Sequence, residues 1–422
     1  MERFNYDLSH FAFQVGRVGR LTTLCYIPVL PSDSLDINIA GYMRFAPLRR
    51  DMVIDSRVDL FAFYVPYRHV YGDTWIDFMK EGVDEAQTLN TITASGLTSC
   101  YGHVVELNAT MPQWMVTGYN RIWNRYFRHP TDTTNELTDT EQGADANERQ
   151  YGQKVCHLPH NWSTGVDPQT DASDRQVSTA GDLLDILDLE RIKYRYKTET
   201  EREWFGNRYN ELMDRIFSSN INVDADERPE LIYRKNFWSS GYDVDGTADA
   251  NLGAYSGKAY AKLDMTIPRK FIPEHGTIWI MACVRFPTIH DRESHYLYNH
   301  PNPTYAEISG DPSVIGNEPP KEMQIGDYIN GSATQTLGKQ PYAQWYRTQP
   351  NFQHLQYADV DAFPFYEGNI WDYNRTRYVD SEFFDEIFQT TQLDHFRMNC
   401  RVSVDAMRIV PPGGASIYAA TK

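Results

Sequence analysis

The sequence predicts a mainly β protein: an antiparallel sandwich or jelly roll carrying long loop and helix insertions. Three observations predict it. Strand-like stretches gather at the two ends of the chain. Near the C-terminus, Phe396, Met398, Cys400, Val402, Val404 and Ala406 alternate with Arg397, Asn399, Arg401, Ser403 and Asp405. Period two of this kind marks a strand with one wet and one buried face. Between the ends lie amphipathic helices and polar stretches, with no clean linker and no internal repeat. A sandwich accommodates this, because its paired strands can be far apart in sequence.

In chain order, Leu21 to Leu30 is β-rich and apolar, and Leu35, Ile37 and Ile39 alternate with Asp36 and Asn38 in a strand running to Phe45. Arg57 to Val65 is rich in Val, Phe and Tyr, a strong strand pattern. Pro112 opens a helix in which Trp114, Met115, Tyr119, Ile122, Trp123, Tyr126 and Phe127 share a face. Thr200 and Glu203 form a capping box before a second helix, with Trp204, Phe205, Tyr209, Leu212, Met213, Ile216 and Phe217 at helical spacing. The plainer reading of both aromatic stripes is packing against the body of the protein. Residues 131–150, 161–180 and 299–330 read as polar loops. Thr277 to Phe286 reads as a buried strand. The expectation is one domain over 1–422, with core strands mainly within 20–66 and 259–410 and insertions mainly within 73–258 and 288–393.

The 422 residues include 28 Tyr, 20 Phe and 9 Trp, an aromatic share that suits either a large core or surfaces buried against partners. The formal net charge of −17 excludes a protein that coats DNA unaided, since phosphate binding rests on Lys and Arg. Five scattered cysteines (Cys25, Cys100, Cys156, Cys283, Cys400) fit reduced, mostly buried thiols. The start lacks the apolar run of a signal peptide, and the longest apolar stretch, near Ile278 to Val284, is far too short to span a bilayer. A soluble cytoplasmic product, with no membrane role, is expected.

Motifs for catalysis are missing: no HExxH, P-loop, helix-opening GxGxxG, G-x-S-x-G or paired CxxC. No catalytic residue, cofactor or metal is expected. Cys156, His157 and His160 could begin a zinc site, but no second cluster completes it. Gly241 to Thr247 resembles the opening of a calcium loop, yet Thr247 and Ala254 fall where an EF-hand needs ligands, and an Asx-turn is the plainer use. Glu274 and His275 could pair as acid and base; a turn entering a strand explains them as well. The best basic patches are Arg17 with Arg20, in Gly-Arg-Val-Gly-Arg, and Arg44 with Arg49 and Arg50 around Pro47. Phosphate contact and intersubunit salt bridges explain them equally well.

Several blocks carry a family resemblance. They include Tyr6 to His10, Gly16 to Leu21, the run from Pro47 through Phe63-Tyr-Val-Pro to Gly72, and Trp75-Ile with Phe78-Met-Lys. Further along come Cys156-His-Leu, Ser240 to Thr247, Pro268-Arg, Pro273 to Thr277, Val284 to Pro287, Gly310 to Pro312, Gln344 to Arg347 and Phe363-Pro-Phe365. Collinear over nearly the whole chain, they resemble the major capsid protein of the microviruses, in its phi-X-like branch. That resemblance implies an eight-stranded jelly-roll barrel and sixty copies in a T=1 shell built through pentamers. It implies a single-stranded DNA genome inside, and a spike protein, scaffolding proteins and a small basic DNA-binding protein as partners. It implies a virion protein assembled in the host bacterial cytoplasm, and no enzyme. The rival class is a β-sandwich carbohydrate-active enzyme or carbohydrate-binding protein, against which the missing signal peptide argues.

Overall fold

The computed structural model describes residues 3–48, 55–81, 88–94, 106, 108–128, 136–142, 154–156, 193–194, 228–242, 258–286, 293–329, 336–352, 388 and 394–410. The strands β1 (Phe4–Asp7), β2 (His10–Gly16), β4 (Ser34–Phe45), β9 (Ser240–Tyr242), β10 (Lys258–Phe271) and β14 (Phe396–Arg408) form one antiparallel sheet. Within it β1 and β2 lie end to end along one edge of β14, followed by β4, β10 and β9. The strands β3 (Leu21–Val29), β5 (Arg57–Pro66), β8 (Glu230–Trp238) and β11 (Gly276–Arg285) form a second, in the order β3-β11-β5-β8. All their pairings are antiparallel.

Alternation decides which way each sheet faces. In β14 the even-numbered residues from Phe396 to Ala406 are buried, as the period predicts. β4 and β10 behave likewise, burying Leu35, Ile37, Ile39 and Met43, and Ala259, Ala261, Leu263, Met265 and Ile267. These side chains meet Leu24, Ile27, Val58, Leu60, Ile278, Ile280 and Val284 of the second sheet in one apolar core.

The second sheet is covered on its other side as well. Helices α1 (Tyr67–Tyr71) and α3 (Gln113–Ile122) lay Val70, Met115, Val116, Tyr119 and Ile122 on Phe61, Phe63, Trp279 and Met281. β11 is buried at every position and β5 at all but Arg57, which is why both read as continuous apolar runs. α3 sits close because Gly118 faces the Trp279 indole, where an added Cβ would lie 3.0 Å from the ring. The expected single helix continues past Ile122 as a π-helical turn, Trp123–Phe127. Helix α2 (Asp73–Glu81) and the short pair β6 (Thr91–Thr93) and β7 (Thr110–Pro112) border this layer.

A third, smaller core stands apart in 293–352. It joins Tyr296, Met323, Ile325, Tyr328, Ala343 and Trp345 from helices α4 (Tyr296–Asn299), α5 (Tyr305–Ile308) and α6 (Pro312–Asn317) and the pair β12 (Lys321–Gln324) and β13 (Thr336–Gln340) with their turns. Residues 299–330, expected as polar loop, therefore hold short elements. Their few apolar residues are too widely spaced to show a period, yet they converge on Trp345. β8 likewise lies within a stretch expected as insertion. The second expected helix, around Trp204 to Phe217, lies outside the described residues.

Candidate nucleic-acid interface

Of the arginines singled out by sequence and described, two are buried and one is exposed. Arg17 and Arg20 are 5% and 9% exposed, buried in the link between β2 and β3. The backbone there is clamped on three sides: the Gly19 N–H donates to Val284 O at 2.7 Å, the Cys156 N–H to Gly19 O at 2.8 Å, and the Leu21 N–H to Lys154 O at 2.9 Å. Segment 154–156 is thus bonded along the link, and both arginine side chains are buried within the subunit. Arg49 and Arg50 lie outside the described residues. Arg44 stands exposed on the solvent side of β4.

Around Arg44 the register assembles a second set of residues. Arg397 lies directly across from it on β14, and Tyr260 directly across on β10. The next row is Phe13, Asn399, Tyr42 and Lys262; the row after that is Phe11, Arg401, Ala40 and Asp264. All point away from the core, because each shares parity with the wet residues of its strand. Phe11, Phe13 and Tyr42 are 69%, 73% and 51% exposed. The two phenyl rings lie nearly parallel with centroids 6.3 Å apart. Some surface cations have carboxylate partners, as in Arg121–Asp139 and Lys270–Glu230. Arg44, Arg397 and Lys262 have none among the described residues, while Arg401 acts electrostatically on Asp7. Further along the same sheet the sign reverses: Asp7, Asp405 and Asp36 stand in one row. Hydrogen bonds from Ser9 hold Asp7 below the usual carboxylate range. One sheet face therefore has a basic, aromatic end that attracts anions and an acidic end that repels them.

The other chemical candidates resolve into structural roles. Glu274 takes Arg68 at 3.2 Å, and the His275 ring packs on Trp75 with centroids 5.5 Å apart. Cys156 is fully buried with its thiol 3.2 Å from that of Cys283, and burial keeps it well above the usual thiol range. Cys25, Cys156, Cys283 and Cys400 are all free thiols. His157, His160 and nearly all of the calcium-like loop lie outside the described residues. Among the described residues no cluster of three or more metal-ligating side chains occurs. No helix among them is long and apolar enough to cross a membrane.

A family model described as capsid protein (F protein) matches residues 1–184 and 177–418. The chain belongs to this phage capsid protein family. Capsid protein F of Escherichia phage G4 is 36% identical over 420 residues, covering 99% of this chain and 97% of the relative. Capsid protein F of Enterobacteria phage phiK is 36% identical over 419 residues, covering 97% and 96% of the two chains. Capsid protein F of Escherichia phage alpha3 is 36% identical over 422 residues, again covering 97% and 96%. As a member of the family, the protein is a structural capsid component of a microvirus virion and not an enzyme. The match overturns the carbohydrate-active alternative, which rested on aromatic and acidic residues in loops. The exposed residues flanking Arg44 were missed because they come from four strands distant in sequence. Their one local signal was the wet parity of Arg397 and Arg401.

Proposed function

We propose that this capsid protein builds a T=1 icosahedral shell of sixty copies, through pentamers, around a single-stranded DNA genome, and that its body is an eight-stranded jelly roll. The strand pairing carries the architectural part. β2 pairs β14, β3 pairs β11, β4 pairs β10 and β5 pairs β8, all antiparallel. These are the rungs of one long hairpin folded at its middle. Two further pairings, β14 with β4 and β11 with β5, roll that hairpin into two sheets. The long excursion between β5 and β8 and the one between β11 and β14 are insertions into a single domain over 1–422. A double Greek key of this order closes a sandwich with few free edges.

Charge supports the partner set. Sixty copies at −17 each bring roughly a thousand negative charges beside a polyanion, a self-repelling arrangement. A small basic protein entering with the DNA offsets part of the repulsion, while a spike protein and scaffolding proteins direct assembly in the host bacterial cytoplasm. The subunit then needs only local basic patches, such as Arg44 with Arg49 and Arg50. The test is electron microscopy of the full-length protein expressed with the scaffolding proteins of its virus. Closed particles of one size with sixty subunits are expected. Another subunit number, or open sheets and tubes alone, overturns the reading.

A further inference from the structure

We propose that Cys156 and Cys283 form a modification site: a buried dithiol that a peroxide oxidises to a disulfide, tying residues 154–156 to strand β11. The chemistry does not depend on the shell proposed above. Only its setting does, a subunit made in a reducing cytoplasm and carried outside it.

Three observations carry the inference. First, the two thiols touch. Their sulfurs are 3.2 Å apart although the residues are 127 apart in sequence. An approach of about 1 Å brings them to disulfide bonding distance. The backbone keeps them together: the Cys156 N–H donates to Gly19 O at 2.8 Å, and the Gly19 N–H to Val284 O at 2.7 Å. Gly19 thus joins Cys156 to the residue next to Cys283. Second, the pair has positive surroundings that a merely packed thiol does not need. Asp59 lies directly across from Cys283 on β5, and Arg57 across from Arg285. The wholly buried Asp59 takes three guanidiniums, Arg285 at 2.5 Å, Arg57 at 3.0 Å and Arg234 at 3.3 Å. One carboxylate cannot balance three cations, and charge acts strongly where the dielectric is low. Such an excess stabilises the thiolate, the form that reacts with oxidants. Burial alone raises the Cys283 pKa, but the Cys156 thiol and the Arg285 charge outweigh it and hold it below the ordinary thiol value. Cys156 is held above that value, by burial first. Cys283 is therefore the nucleophile and Cys156 its proton-bearing partner. Third, the other two described thiols lack this setting. Cys25 and Cys400 lie in the core between the sheets, where burial raises both, Cys400 to about 11, with no cation offsetting it among the described residues.

The Cys283 thiolate attacks one oxygen of hydrogen peroxide and the O–O bond breaks. The departing hydroxide takes up the proton that Cys283 released, giving water and a sulfenic acid. The Cys156 sulfur then attacks the Cys283 sulfur and the S–O bond breaks. This second hydroxide takes the Cys156 proton and leaves as water. Two thiols and one peroxide thus give one disulfide and two waters; each sulfur loses one electron and the peroxide gains two. Peroxide is scarcely larger than water, and Lys154 and Val155, beside Cys156, are partly exposed, so its path is short.

The test uses the full-length protein, reduced, desalted and exposed to millimolar hydrogen peroxide without denaturant. Remaining thiols are alkylated with N-ethylmaleimide in denaturant, and the non-reduced digest is read by mass spectrometry. One linked peptide pair is expected, Cys156 with Cys283, two hydrogens lighter than the reduced peptides, with Cys25 and Cys400 alkylated. Protease should cut the oxidised protein near Lys154 roughly tenfold more slowly or less, and a reductant should restore the rate. Cys156→Ala and Cys283→Ala, shown to be folded by circular dichroism, should lose this response to peroxide. Where either fails to fold, the wild-type digest decides alone. Unlinked Cys156 and Cys283 after peroxide, a link between Cys25 and Cys400 instead, or a link that forms only in denaturant overturns the proposal. Particle assembly is read separately, so its failure counts against the shell and leaves this result standing.

Discussion

Tyr119 is fully enclosed, and its hydroxyl joins two segments. It donates to Leu21 O at 2.9 Å and accepts the Lys154 N–H at 3.0 Å. Helix α3, strand β3 and segment 154–156 therefore meet at one oxygen. Tyr119→Phe keeps the ring and strips both backbone groups of a partner, and an unsatisfied buried group costs about 1–3 kcal/mol. Chemical denaturation should show a loss in that range, with protease cutting near Lys154 appearing first. An unchanged midpoint would show that water replaces the hydroxyl. The burial of Arg17 and Arg20 was not legible in the sequence. A Gly-Arg-Val-Gly-Arg run has the composition of a phosphate loop, and nothing local to it says that residues 154–156 bond along it. Arg44 was readable as basic, but its neighbour Arg397 is supplied only by strand register.

β14 is the element where sequence and structure agree most closely, because one of its faces is wet and the other dry. Val402 is fully buried and Ser403 is half-buried on the outer face. Val402→Asp places a carboxylate in the core between the sheets and should cost several kcal/mol, enough to make subunits insoluble. Ser403→Lys points outward toward Asp405 and Asp36 and should stay within about 1 kcal/mol of wild type. Soluble yield and thermal unfolding check both; equal damage from the two would refute the assigned parity. β10 carries the same period and was readable in principle. β2 was hidden, since Phe11 and Phe13 put large apolar groups on the solvent side, where alternation predicts polar ones. β8 was hidden because its half-exposed pattern lacks a clear period, and it sits at the edge of its sheet.

At the scale of the molecule, the described residues form three apolar clusters, two sharing the second sheet and one separate in 293–352. The separate one turns on a buried charge. Glu307 accepts from the Tyr296 hydroxyl at 2.6 Å, from the Thr304 N–H at 2.8 Å and from the Lys321 ammonium. Burial alone raises its pKa, but the bonds from Lys321, Tyr296 and Thr304 outweigh that and hold it at about 2, against an ordinary 4.5. A depressed folded-state pKa gives stability that is present above the ordinary value and lost as pH falls through the folded one. Glu307 should therefore contribute at most ~3 kcal/mol near neutrality, withdrawn between about pH 4.5 and 2. Asp327 works the other way: burial raises its pKa, so its protonation favours the fold as pH falls. His300 Nε2 lies 3.2 Å from its carboxylate. Comparison of wild type with Glu307→Gln cancels these neighbours. A pulse of hydroxyl radicals, read by mass spectrometry, reports opening through oxidation of the wholly buried Met323, with Met265 in the main core as reference. In wild type the Met323 signal should climb over that of Met265 as pH drops through the window. In Glu307→Gln the climb should be absent, since the neutral amide forms no ion pair with the ammonium at any pH. A flat wild-type profile would mean that the Tyr296–Trp345 stack, at 4.3 Å between centroids, closes this core without help from the charge.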